Sequence, residues 1–246
     1  MRNRTQLTDF VLLSLFVGLI FLLGLTPLGL IPLGVINVTL LCIPVAVGTI
    51  HMGWKRGLLL GLAFGATSFT SAMMRPSALV STLMGANMFY MAIMTFLPRL
   101  CVPLVIWGVY RLMETLQKKV RENNIVTDVL PFTMFFLGLL LLAYILTDSV
   151  YVLLAIAVVL IGVGGYAILH MKQKHVAVAV AAACGSLTNT VLYLGLMLLF
   201  YVLCGIDNAT VLTTIAAVAG GAGPAEAIAA AIICPPIVAA ISKIRR

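Results

Sequence analysis

Charge is scarce in this chain, and acidic charge scarcer than basic. Asp and Glu together number 7 in 246 residues, Lys and Arg 15, and charged residues of both signs make up 9% against 63% hydrophobic. So few charges leave no surface for a soluble domain. The longest polar stretch, Glu114 to Asn124, is too short to bury a core of its own. Catalytic and nucleotide motifs are missing as well. There is no G-x-x-x-x-G-K-[ST] loop to cradle ATP phosphates, no H-E-x-x-H, no G-x-S-x-G and no intramembrane His or Asp pair. His51 falls at an apolar segment's end, and His170 and His175 flank a basic turn, so the histidines build no metal or catalytic site. The five cysteines are far apart without a C-x-x-C pair and read as small apolar membrane residues. A cleavable signal is not expected either, because the first apolar run continues past any small-residue cleavage point into Thr26-Pro27. The sequence reads as a non-enzyme with no resident cofactor.

The positive charges are clustered. They fall at Arg2/Arg4, Lys55/Arg56, Arg111 to Arg121, Lys172/Lys174 and Lys243/Arg245/Arg246, separated by pairs of apolar segments. That alternation fixes orientation in a membrane, and the net charge of +8 signals contact with anionic lipid rather than nucleic acid. A span needs about 20 apolar residues. Segments over 8–25, 37–53, 57–73, 91–112, 128–147, 150–169, 176–200 and 224–242 predict an all-α integral membrane protein of eight helices with both termini cytoplasmic. That topology leaves 13 of the 15 basic residues inside, Arg75 and Arg99 being the exceptions.

Two outer connections are apolar but rich in Pro and Gly. Thr26 to Asn37 carries two Pro-Leu-Gly turns, and 209–223 ends in Gly220-Gly-Ala-Gly-Pro224. Apolar non-helical backbone must lie on protein, because lipid cannot satisfy it. Both connections therefore read as lids over the outer mouth, or as simple caps of helix ends. Small residues four apart occur at Ser14/Gly18 and at Gly57/Gly61/Gly65. Such faces allow close helix approach, within the bundle or to a partner, and internal packing is the expectation for the Gly57 face.

Rare polar groups inside the membrane share a depth. At 1.5 Å per residue, Arg99 is roughly 18 Å from Arg111, Asn189 roughly 22 Å from Lys174, and Glu226 and Asn37 each roughly 25 Å from Lys243 and Trp54. All four fall in the outer half of a hydrocarbon layer about 30 Å thick, which points to a polar cavity opening outward. Arg99 follows Pro98, so its helix is expected to kink there and aim the guanidinium inward. It serves either as a fork for a ligand carboxylate, as an internal partner of Glu226, or as a side chain snorkelling to the outer surface. Glu226, just after Gly223-Pro224, either contacts ligand or satisfies the first turn of its helix. Asn189 either contacts ligand or bonds a neighbouring helix.

These residues carry a resemblance. Leu25-Thr-Pro-Leu-Gly-Leu-Ile-Pro-Leu-Gly34 leads to Asn37-Val-Thr-Leu40 and Ile43-Pro-Val-Ala-Val-Gly48, then to Gly57-Leu-Leu-Leu-Gly-Leu-Ala-Phe-Gly65 with Ser68, and to Phe96-Leu-Pro-Arg99. Gly185-Ser-Leu-Thr-Asn-Thr190 and Gly223-Pro-Ala-Glu-Ala-Ile-Ala-Ala-Ala-Ile232 follow. In this order, over about three-quarters of the chain, they resemble the substrate-binding S component of energy-coupling factor (ECF) vitamin transporters, most closely the pantothenate-type members.

The resemblance implies a bacterial cell-membrane protein that captures a vitamin in an outward-facing pocket closed by the loops after the first and third helices. Its partners would be a transmembrane coupling subunit and two ATPase subunits, and it would topple in the membrane to release the vitamin inside. Pocket contacts map onto Asn37, Arg99, Asn189 and Glu226, with Leu28, Ile31 and Phe89 as an apolar wall. The docking face maps onto Ser14 and Gly18, neither being the family's usual alanine. Such proteins have six helices, so 1–113 and 176–246 would form the core of one membrane domain and 128–169 an inserted transmembrane hairpin. Arg2 stands where the metal-specific branch carries histidine. Riboflavin or folate as the vitamin, an independent secondary transporter, and a scaffolding membrane protein are the competing readings. No internal repeat supports the transporter.

Overall fold

The computed structural model of the chain describes residues 2–26, 29–33, 36–122, 174–206, 212–213 and 223–244. The 128–169 hairpin and almost all of the 209–223 connection lie outside these. Among the described residues the protein is an α-helical bundle with one small β-hairpin, and five of its helices are long and apolar enough to cross a membrane. It is a multi-pass membrane protein.

Helix α1 (Arg2–Leu25) leads into a hairpin of β1 (Leu30–Leu33) and β2 (Ile36–Thr39), paired antiparallel from Leu30↔Thr39 to Leu33↔Ile36. Ile36, Val38 and Thr39 are β-branched and favour a strand, and in a two-stranded sheet Pro32 can leave its missing N–H on an edge. Apolar character alone had put residues 37–53 in a membrane-crossing helix. The structure corrects this: α2 begins only at Cys42 and ends at Met52, about 16 Å of helix, too short to cross.

Gly53, at φ +85°, then turns the chain into α3 (Trp54–Met74). The connection 74–90 contains a short helix, α4 (Ala78–Ala86), started by Ser77, whose hydroxyl accepts from the Val80 N–H at 3.4 Å. Helix α5 (Met88–Glu122), α6 (Lys174–Leu203) and α7 (Gly223–Ile244) complete the described bundle.

Helix α6 is the centre. Every residue from Val176 to Asn189 is buried, and α5, α7 and α2 pack around it. The small residues of its first half, Ala177 to Ser186 above all, permit this, since small side chains let helices approach closely in a membrane. A Cβ on Gly185 would lie 2.4 Å from the Ile106 side chain of α5. The Gly57/Gly61/Gly65 face does the same for α3. Added Cβ atoms there would come within 3.1 Å of Pro103 at Gly57, 2.5 Å of the Arg99 carbonyl oxygen at Gly61 and 2.8 Å of the Phe96 ring at Gly65. That face is internal packing against α5, as expected.

The register of these contacts places the charges. Asp9 pairs with Arg56, and Gly24 sits by Thr67, so α1 and α3 run parallel. Helix α5 is antiparallel to both α3 and α6, and α7 is parallel to α2, with His51 Nε2 donating to the Val238 carbonyl at 3.1 Å. Lys55/Arg56, Arg111 to Arg121, Lys174 and Lys243 therefore gather at one end of the bundle. Arg75, the hairpin and α4 lie at the other.

Candidate functional site

Pro98 has no N–H, so it leaves the Met94 carbonyl without its helical donor. The Arg99 Nη1–H fills that gap, donating to the Met94 oxygen at 3.1 Å. Side chains on a helix lean toward its N-terminus, and here the lean carries the guanidinium along α5 away from the basic end. Pro103 frees the Arg99 carbonyl in turn, and Gly61 packs against it. Two prolines thus loosen α5 on both sides of one buried arginine, which is 8% exposed.

Aromatic rings cover the cation. The guanidinium carbon is 4.6 Å from the Tyr193 ring centroid on α6 and 5.4 Å from that of Phe64 on α3. Such contacts contribute about 2 kcal/mol when desolvated. Arg99 Nε is buried and has no hydrogen-bond partner among the described residues. Glu226, 8% exposed in the first turn of α7, lies within electrostatic range of Arg99, as does Cys42, but Arg99 and Glu226 form no direct ion pair. Glu226 Oε1 instead accepts two bonds from Thr39, the backbone N–H at 2.8 Å and the hydroxyl at 2.7 Å. The free amides of the α7 N-terminus also favour a carboxylate here. Thr39 therefore ties the β-hairpin to α7, within electrostatic range of the arginine.

Asn189 is 7% exposed on α6, one turn from Tyr193, and its Oδ1 has no partner among the described residues. Ser186, fully buried, has an unpartnered Oγ. Of the residues expected in the pocket, Arg99 and Glu226 come together and Asn189 shares the α6 face with Tyr193. Asn37 lies on β2 opposite Pro32, two residues from Thr39, and its depth measured along a helix does not hold because the segment is a strand. Phe89 stands 68% exposed at the start of α5, roughly 15 Å along the helix from Arg99. Ser14 and Gly18 lie on the exposed side of α1, the Ser14 hydroxyl bonded to its own helix at the Phe10 carbonyl.

Tyr193, Phe64, Thr39 and Ser186 escaped the sequence reading. Asn189 at i, Tyr193 at i+4 and Ser186 at i−3 share a helix face, so Asn189 alone was signal enough for two of them. Comparison with family models and with characterised proteins returns no match.

Proposed function

We propose that this chain is a solute-capturing subunit of a membrane importer, binding a small carboxylate at Arg99. The observation that carries the reading is the buried guanidinium whose Nε has no partner among the described residues although a carboxylate, Glu226, lies within electrostatic range. A cation held by rings and one carbonyl, with donor capacity unused, suits an anion arriving from outside the protein. The β-hairpin at Glu226 and the Pro-loosened α5 suit a site that opens and closes.

The ECF resemblance supplies the rest of the proposal: a vitamin-binding S component of the bacterial cell membrane, pantothenate the first candidate, docking on a coupling subunit with two ATPases. Both termini then lie in the cytoplasm with the basic end of the bundle. The test is thermal unfolding of the detergent-purified chain against water-soluble vitamins, with Arg99→Ala beside it, since a native-state ligand raises apparent stability by mass action. A shift with one vitamin that disappears in the variant supports the reading.

A second reading has its own observation. Arg99 bonds the Met94 carbonyl and stacks on Tyr193 and Phe64, as a purely internal brace would. Under it, Arg99→Ala unfolds several degrees lower, and the wild type shifts with no vitamin.

A further inference from the structure

Buried hydroxyls on the helices of this protein are almost all used on their own helix. Thr49, Thr95 and Thr188 bond carbonyls four residues back, at 2.6, 3.0 and 2.7 Å, and the less buried Thr190 and Ser242 do so at 3.3 and 2.7 Å. This is the ordinary way a hydroxyl is satisfied in a helix. Ser186 departs from it: it is fully buried, and among the described residues its Oγ bonds neither its own helix nor a neighbour. Three residues on, Asn189 Oδ1 is equally without a partner. An unsatisfied buried polar group costs about 1–3 kcal/mol, and here two lie three residues apart on the most buried of the described helices.

Their position relative to Arg99 gives the pair a meaning. Ser186, Asn189 and Tyr193 lie on one face of α6, and Tyr193 is the residue beneath the guanidinium. Counted from Tyr193 toward the basic end, Asn189 is roughly 6 Å deeper and Ser186 roughly 10 Å deeper. Together with the Arg99 Nε–H, three unused polar atoms run inward from the arginine: a cationic donor, then an amide oxygen, then a hydroxyl.

We infer that Ser186 and Asn189 form an uncharged subsite below Arg99, and that the ligand is elongated, with an anionic end at the arginine and hydroxyl or amide groups reaching these two residues. This rests on the reading of Arg99 as an anchor for a ligand anion. Asn189 Oδ1 requires a donor from the ligand, and the Ser186 hydroxyl takes either role. A site built this way rejects a plain alkyl carboxylate, which would leave both atoms unpaired.

The experiment measures binding by calorimetry and thermal unfolding for the full chain and for Ser186→Ala, with two probes. Pantothenate has a carboxylate, hydroxyls and an amide; hexanoate has a carboxylate on an apolar chain of fewer atoms. The expected result is that the wild type prefers pantothenate and that Ser186→Ala weakens pantothenate binding about three- to tenfold, the worth of one neutral hydrogen bond. Hexanoate binding stays unchanged, and the variant unfolds at or above the wild-type temperature because no protein bond has been removed. Undiminished pantothenate binding in the variant overturns the subsite, as does a melting temperature several degrees lower, which would mean the hydroxyl is satisfied within the protein. Wild-type binding of hexanoate as tightly as pantothenate removes the subsite alone. Binding of neither probe removes the anchor reading, and the elongated ligand with it.

Discussion

A guanidinium at the centre of a membrane helix costs about 3 kcal/mol on insertion scales, and Arg99 meets that cost locally. Pro98 supplies an orphan carbonyl for Nη1, and Tyr193 and Phe64 supply ring faces. Neither uses Nε. Lysine at this position would keep the charge but lose the planar fork and the stacking. Arg99→Lys is therefore expected to fold and to lose at least tenfold in carboxylate affinity, about 1.5–3 kcal/mol for one charged hydrogen bond; titration calorimetry against the vitamin that stabilises the wild type checks it. Wild-type affinity in the lysine variant would mean that a point charge is enough and that the fork is not used. At this scale the sequence was informative where local chemistry speaks: Pro98 announced Arg99, and Gly223-Pro224 announced Glu226. It was silent on Thr39 as the donor to Glu226, because 187 residues separate them. Asp9 gave no hint of its pair with Arg56, since an acidic residue near the start of an apolar helix looks the same whether buried or not.

Among the elements, the contact between α3 and α5 decides most, because it carries the backbone of Arg99. Gly57, Gly61 and Gly65 bring α3 so close that a methyl group on Gly61 would lie 2.5 Å from the Arg99 carbonyl oxygen. Backbone cannot yield as a flexible side chain can. Gly61→Ala is expected to push the helices apart and destabilise by about 1–3 kcal/mol, the usual cost of overpacking; thermal unfolding in detergent reads it, and an unchanged transition would show that the two helices are free to separate. The glycine spacing made this contact legible, because small residues four apart have few other uses inside a bundle. The segment 37–53 was misread for an equally physical reason. A short apolar run has no periodicity that separates a buried strand from a buried helix, and β-branched Ile36, Val38 and Thr39 tipped it to a strand. The helix α4 within 74–90 was missed too, although Ser77 stands where an N-cap belongs. Its attachment was out of reach of sequence: the Tyr201 hydroxyl on α6 donates to the Leu79 carbonyl at 2.7 Å.

At the scale of the whole molecule, the two ends differ, and among the described residues one side is left open. Basic residues collect at one end while Arg99, Glu226 and the β-hairpin sit toward the other, the polarity that the spacing of charges announced. Helix α1 is the least enclosed span: Leu7, Phe10, Val11, Leu15 and Leu22 are each more than half exposed, and Ser14 and Gly18 lie on the same outward side. Among the described residues a Cβ on Gly18 would meet nothing within 4 Å, in contrast to Gly61. A leucine at position 18 therefore has room in the isolated chain and fills only the surface that the proposed coupling subunit would approach. Under the proposed function, Gly18→Leu is expected to reach wild-type levels in the membrane, unfold at the wild-type temperature and bind the ligand unchanged, while uptake in a host that depends on the proposed importer falls sharply. Capture and transport would then be separated by one residue on the side of the bundle away from the site. Undiminished uptake would mean that this side of α1 faces only lipid, and that a partner, if the importer has one, approaches elsewhere.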